Sequence, residues 1–100
     1  MEYTKKDNWI TEALNKLIYV EWDRYFEYKG GLVCFGWIDR EKDNYKDFVT
    51  LEFNTESKGL VMFITSSALY SKDIAEIFDF DYSECKRVGN RFKANRVIRK

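Results

Sequence analysis

The sequence predicts an α+β fold: an N-terminal helix, a four-stranded antiparallel meander, then a C-terminal pair of helices with room for a short last strand. Three features carry this. Apolar residues recur at helical spacing at the start of the chain and at a spacing of two through its middle. The middle is cut by Gly30-Gly31 and by the polar hexapeptides DREKDN (39–44) and NTESKG (54–59), at intervals that suit hairpins. After residue 66 the helical spacing returns. One hundred residues, 45% of them apolar, suffice for one domain with a core of its own. The chain has no proline, and no repeat or low-complexity stretch marks a linker. Residues 1–100 are therefore read as one domain, with a sheet-bearing body (1–66) and a C-terminal part (67–100) packed on it.

Asp7 and Asn8 can cap the first helix. Behind them Trp9, Ile10, Ala13, Leu14, Leu17 and Ile18 form one apolar stripe, with Glu12, Asn15 and Lys16 elsewhere. From Val20 the period is two. Trp22, Phe26 and Tyr28 alternate with Glu21, Asp23, Tyr25, Glu27 and Lys29, which predicts a strand with one wet face. Gly30-Gly31 supplies the positive φ of a tight hairpin turn. Residues 32–38 (LVCFGWI) are apolar on both faces and predict an inner strand; 48–53 and 60–65 complete the meander. The first helix can cover one face of this sheet. The other face keeps large side chains and requires the C-terminal third, or a second copy of the chain, to cover it.

In the C-terminal third, a helix starting near Ser71 would bury Ile74, Ala75, Ile77 and Phe78. Asp81 can cap a second helix, 82–93, with Cys85, Val88 and Phe92 on one seam. A short helix, a three-residue turn and a second helix with a polar, basic outer face have the geometry that lays a helix in a major groove. Residues 71–98 resemble the helix-turn-helix of repressor-type DNA-binding proteins. Ala75 stands at that motif's small position, Asp79 where glycine is usual, and Phe80, Cys85 and Val88 at its later apolar positions. The resemblance places Tyr82, Ser83, Lys86, Arg87 and Asn90 where base-edge and phosphate contacts are made. Phe92 and the run 95–98 resemble the helix exit and first wing strand of winged-helix domains. If residues 92–100 form a strand, Arg91, Lys93, Asn95 and Arg99 share one face and extend the basic surface.

Charge is segregated. All 17 acidic residues lie between Glu2 and Glu84, whereas 7 of the 17 Lys and Arg residues lie in the last fifteen positions. A basic block beside an acidic body suggests a polyanionic partner. There is no histidine, which removes the commonest general base and metal ligand. Cys34 and Cys85 are far apart and read as buried free thiols. Asp39, Glu41, Asp43 and Asp47 lack the calcium-loop pattern and read as a solvated turn. No Gly-rich phosphate loop or nucleophile elbow is present. The expectation is a non-enzymatic protein with no cofactor and no metal. No apolar run approaches the roughly 20 residues of a membrane span, and the first residues do not read as a signal peptide. A cytoplasmic location is expected.

The functional expectation is a small transcriptional regulator that binds double-stranded DNA as a homodimer. Tyr82, Ser83, Lys86, Arg87, Asn90, Arg91, Lys93, Arg96 and Arg99 would form its DNA-binding surface. The alternative is a protein-interaction module, such as an immunity protein or a phage- or virus-encoded inhibitor of a host nuclease. It would grip a basic host protein through Glu21, Asp23, Tyr25 and Glu27. The aromatics of strands one and two (Trp22, Tyr25, Phe26, Tyr28, Phe35 and Trp37) could stack single-stranded bases. Glu21, Asp23, Glu27 and Asp39 on the same strands would repel phosphates, so core and interface packing is the reading taken.

Overall fold

The computed structural model describes residues 8–40, 45–81, 85–88 and 91–95. In chain order these form α1 (Asn8–Asn15), β1 (Glu21–Tyr28), β2 (Gly31–Arg40), β3 (Tyr45–Asn54), β4 (Leu60–Thr65), α2 (Ala68–Ile77), β5 (Lys86–Val88) and β6 (Arg91–Asn95). The strands make one antiparallel sheet in the order β1-β2-β3-β4-β6-β5.

Both helices pack on the same face of that sheet. Ile10, Ala13, Leu14 and Leu17 from the α1 segment join Ile74 and Ala75 of α2 in one core. They meet Leu32, Cys34 and Ile38 of β2, Val49, Leu51 and Phe53 of β3, Leu60 and Phe63 of β4, and Ala94 of β6. Trp9 meets the Phe53 ring edge-on at 5.7 Å, and Phe78 meets it at 6.1 Å, so Phe53 sits between the two helices. Apolar burial of this kind contributes roughly 1.5–3 kcal/mol for each large side chain.

The turns follow local chemistry. Gly30 has φ +82° between β1 and β2, a value that a side chain would strain. Asn54 Oδ1 accepts from the backbone N–H groups of Glu56 and Ser57 and holds the β3–β4 turn. Ser67 caps α2, its hydroxyl accepting from the Tyr70 N–H at 3.1 Å, so this helix starts ahead of Ser71.

The predicted helix-turn-helix is overturned, and with it the fold of a four-stranded meander plus a helix pair. The chain is mostly sheet, and 86–88 and 91–95, expected inside a recognition helix or its exit, are paired strands. The positional match rested on signals that serve another end. Asp79 does adopt a left-handed conformation (φ 61°), but it ends α2. The Asp79 N–H donates to the Glu76 carbonyl and the Phe80 N–H to the Ala75 carbonyl, the bond pattern of a Schellman stop. Phe80 is buried because it folds back edge-on against Phe63, 5.5 Å away. Val88, which the motif requires inside, is 59% exposed.

Three physical reasons favour strands here. Gly89 within a helix would cost about 1 kcal/mol relative to alanine, and Gly-Asn between two strand-forming runs is a hairpin signal. Arg91, Phe92, Lys93 and Ala94 alternate polar and apolar at period two. The outer edge of β4 also needs backbone partners. β6 supplies them, pairing Phe63 with Ala94 and Thr65 with Phe92.

Candidate functional site

A sheet with both helices on one side leaves the other side uncovered by any described element. Register fixes what stands there. One row across the strands runs Arg24, Phe35, Thr50, Ile64, Lys93 and Lys86. The row towards the Thr65 end of β4 holds Glu21, Trp37 and Phe48, with Arg91 and Val88 on β6 and β5. The row on the other side holds Phe26, Val33, Glu52 and Met62. The centre of the face is therefore aromatic and aliphatic, and cations stand at both flanks.

The rings touch. Phe35 and Trp37 meet edge-on at 5.0 Å, and Phe35 and Phe48 lie nearly parallel at 6.4 Å. The Arg24 guanidinium lies 5.6 Å from the Phe35 centroid and that of Arg91 lies 5.4 Å from the Phe48 centroid, both within cation–π range. Two shallow depressions mark the surface. One, of about 400 Å³, is lined by Arg24, Tyr25, Phe26, Val33, Phe35 and Trp37; the other, of about 390 Å³, by Phe48, Thr50, Ile64 and Arg91 with Phe35 and Trp37. Phe26 is 66% exposed beside them.

The expected DNA-binding residues divide. Lys86, Arg91 and Lys93 belong to the open face. Arg87 pairs with Phe92 and points the other way, into a cleft of about 590 Å³ beside Asp47, Ser66, Ser67 and Tyr70. Tyr82, Ser83, Asn90, Arg96 and Arg99 lie outside the described residues. The expected acidic protein-binding set also divides, because a bulge between Trp22 and Arg24 shifts the register of β1. Glu21 stays on the open side. Tyr25 and Glu27 pair with Cys34 and Leu32, whose side chains face the helices, so register puts them on the helix side, although Tyr25 also borders the first depression. Asp23 lies at the bulge with an oxygen 3.0 Å from Arg24 Nε.

Four acids were expected to repel a phosphate backbone here, and the fold disperses them. Glu27 is on the opposite face and Asp23 is engaged by Arg24. Asp39 stands cross-strand from Lys46, leaving Glu21 at one corner. Glu52, also on this face, accepts the Tyr28 hydroxyl bond. That bond raises the Tyr28 pKa above its ordinary value. Arg24 and Phe48 are site residues that the sequence reading passed over. The aromatic crowding of the first two strands was a visible signal; the bulge that brings Arg24 beside it was not.

Other chemistry is sparse among the described residues. Asp47, read as part of a solvated turn, is buried, and its Oδ1 accepts from the Ser66 hydroxyl at 2.9 Å. No three described His, Cys, Asp or Glu side chains gather where they could hold a metal ion. Burial raises the Cys34 pKa to about 12, and partial burial raises that of Cys85. No described helix is long and apolar enough to cross a membrane. Neither a family model, nor a curated protein, nor a solved structure matches this chain.

Proposed function

We propose that this chain is a non-catalytic nucleic-acid-binding protein whose contact surface is the uncovered face of its sheet. One observation carries the reading: β5 and β6 bring Lys86, Arg91 and Lys93 onto the face that holds Phe35, Trp37 and Phe48. The basic residues that charge segregation assigns to a polyanion thus stand beside rings that can meet bases. Neutralising phosphates needs cations on one surface, and each contact releases a counterion. Binding through a recognition helix is no part of this reading.

The test is fluorescence anisotropy of labelled random-sequence DNA and RNA, single-stranded and duplex, titrated at about 50 mM and about 200 mM salt. Binding should weaken with salt. The double reversal Arg91→Glu with Lys93→Glu should weaken it at least roughly tenfold at the lower salt. Absence of binding at low salt, or full binding by a folded double variant, refutes the proposal.

A second reading is favoured by a separate observation. β1 stands at the end of the sheet, exposed along most of its length, with Glu21, Asp23 and Glu27 on it. An edge strand can accept an added strand, and its acids suit a basic protein segment. Replacing Glu21, Asp23 and Glu27 by lysine abolishes partner capture under this reading and leaves nucleic-acid binding intact or stronger.

A further inference from the structure

We infer that the open face takes single-stranded nucleic acid in preference to duplex, with Phe35, Trp37 and Phe48 as a stacking platform and Arg24 and Arg91 at its two ends. This rests on the nucleic-acid reading above and names the ligand class for the same face. Shape supports it first. Five strand spacings of about 4.8 Å make the sheet about 24 Å across, while a major groove about 12 Å wide admits only a helix or a two-stranded ribbon. A broad sheet face therefore cannot enter the major groove of an undistorted duplex. Side-chain chemistry supports it next. Aromatic rings gain from a base only when the face of that base is free, and a duplex keeps its base faces inside its own stack. The three rings occupy neighbouring positions on β2 and β3, close enough to touch one another, so adjacent bases can engage adjacent rings.

Charge opposes one face-to-face arrangement of the rival occupant, a second copy of the chain, and favours a polyanion. Arg24 stands at the β1 flank, with Lys93 and Lys86 at the β6–β5 flank of the same row. A two-fold axis parallel to the strands would lay each cationic flank over the partner's cationic flank; an axis across the strands would face β1 with β1, where Glu21 can meet Arg24, and the sedimentation measurement tests that arrangement. A strand of phosphates crossing the sheet from β1 to β6 meets cations at both ends and rings between. Four strand intervals, about 19 Å, suit a site of about four nucleotides, the low end for single sheet-based modules.

The experiment compares a single-stranded oligonucleotide of about twelve thymidines with a hairpin duplex of equal phosphate count. Anisotropy gives affinity, and intrinsic tryptophan emission reports on the platform. Trp37 is the open-face indole; Trp22 donates to the Leu14 carbonyl on the helix side, and Trp9 packs on Phe53. The expected result is single-strand binding at least roughly tenfold tighter than duplex, with quenching that Trp37→Phe removes. Phe48→Leu, which keeps apolar volume, should weaken single-strand binding roughly tenfold while leaving the salt slope unchanged. Equal affinity for both forms, or a preference for duplex, overturns this inference and leaves the broader nucleic-acid reading standing. Binding to neither overturns both. Sedimentation showing a dimer that Trp37→Ala dissociates assigns the face to a second copy and also overturns it.

Discussion

Tyr19 offers a test of the packing in which one substitution changes both stability and its pH dependence. Tyr19 lies in the connection between α1 and β1. Its hydroxyl donates to Asp73 Oδ2 at 2.6 Å, and its ring stacks on Tyr70 at 4.3 Å, so it ties that connection to α2. Tyr19→Phe keeps the ring stack and removes only the hydrogen bond. Bonds to a charged group contribute about 1.5–3 kcal/mol. Tyr19 is only half-buried and water can reach Asp73 once the hydroxyl is gone, so the lower end, about 1.5 kcal/mol, applies at neutral pH. For a chain of this size that lowers Tm by about 6–12 °C.

The pH dependence carries a definite sign. Burial raises the Tyr19 pKa, and the bond to Asp73 and its charge raise it further. In the unfolded chain the phenol ionises near pH 10. A group whose pKa is higher when folded stabilises fully below its unfolded pKa and loses that contribution as pH rises beyond it. Above pH 10 the wild type therefore loses about 1.4 kcal/mol per pH unit through this residue, and the Phe variant does not. The advantage of about 1.5 kcal/mol should close near pH 11. Urea denaturation of both proteins at pH 7 and near pH 11 measures it, and subtraction removes the tyrosines they share. Equal stability at pH 7, or a gap that does not change with pH, refutes the reasoning.

Gly36→Ala should destabilise by about 1–3 kcal/mol through overpacking. An added Cβ would stand 2.7 Å from Val20 Cγ1 and 2.8 Å from both the Glu21 carbonyl oxygen and Trp22 Cε3. Gly31→Ala should be milder, because the atoms nearest its new methyl are the ring end of the exposed Tyr28, which can swing off with the loss of its exposed bond to Glu52; urea midpoints that rank the two variants in reverse would contradict the packing. Cys34, fully buried with its pKa raised to about 12, should be alkylated near pH 8 only when the protein unfolds. Cys85 is half-buried and should react in the native state, so equal rates at the two thiols, resolved by peptide mass mapping, would count against that placement.

Periodicity made α1 and strands β2 to β4 legible, because each buries a face whose spacing is written locally, while β1, exposed along most of its length, was marked by alternation and by the glycine turn after it. The stripe from Ile10 to Leu17 and the inward set Leu32, Cys34 and Ile38 are such patterns. Residues 82–95 could not be read that way. Cys85, Val88 and Phe92 fall at helical spacing, yet Phe92 and Ala94 also fall at strand spacing, and a local reading weighs both without knowing that β4 lacks a neighbour. The helix stop at Asp79 and Phe80 was detectable but shared by two structures: a turn between helices, and a Schellman cap that sends the chain back to the sheet. The bulge at Asp23 has no sequence signal comparable to Gly30. It moves Arg24 to the open face and leaves Trp22 on the helix side, so the expected acidic aromatic face never assembles.

Zero net charge does not argue against a polyanion partner when the face that meets it carries a local cationic excess. The molecule is 20 Å through its shortest axis, and Glu12, Asp73 and Glu76 stand on the helices at one side of it and outnumber Lys72 there. At physiological ionic strength the Debye length is about 8 Å, so these acids are screened from a ligand on the open side. There the local balance decides, with Arg24, Lys46, Lys86, Arg91 and Lys93 against Glu21, Asp39, Glu52 and the Asp23 that pairs with Arg24. At about 0.01 M salt the screening length grows to about 30 Å and exceeds the thickness of the protein. The helix-side acids then repel the same ligand through the fold. Affinity should therefore rise as salt falls towards about 0.05 M and flatten below it, where a uniformly basic protein would go on tightening.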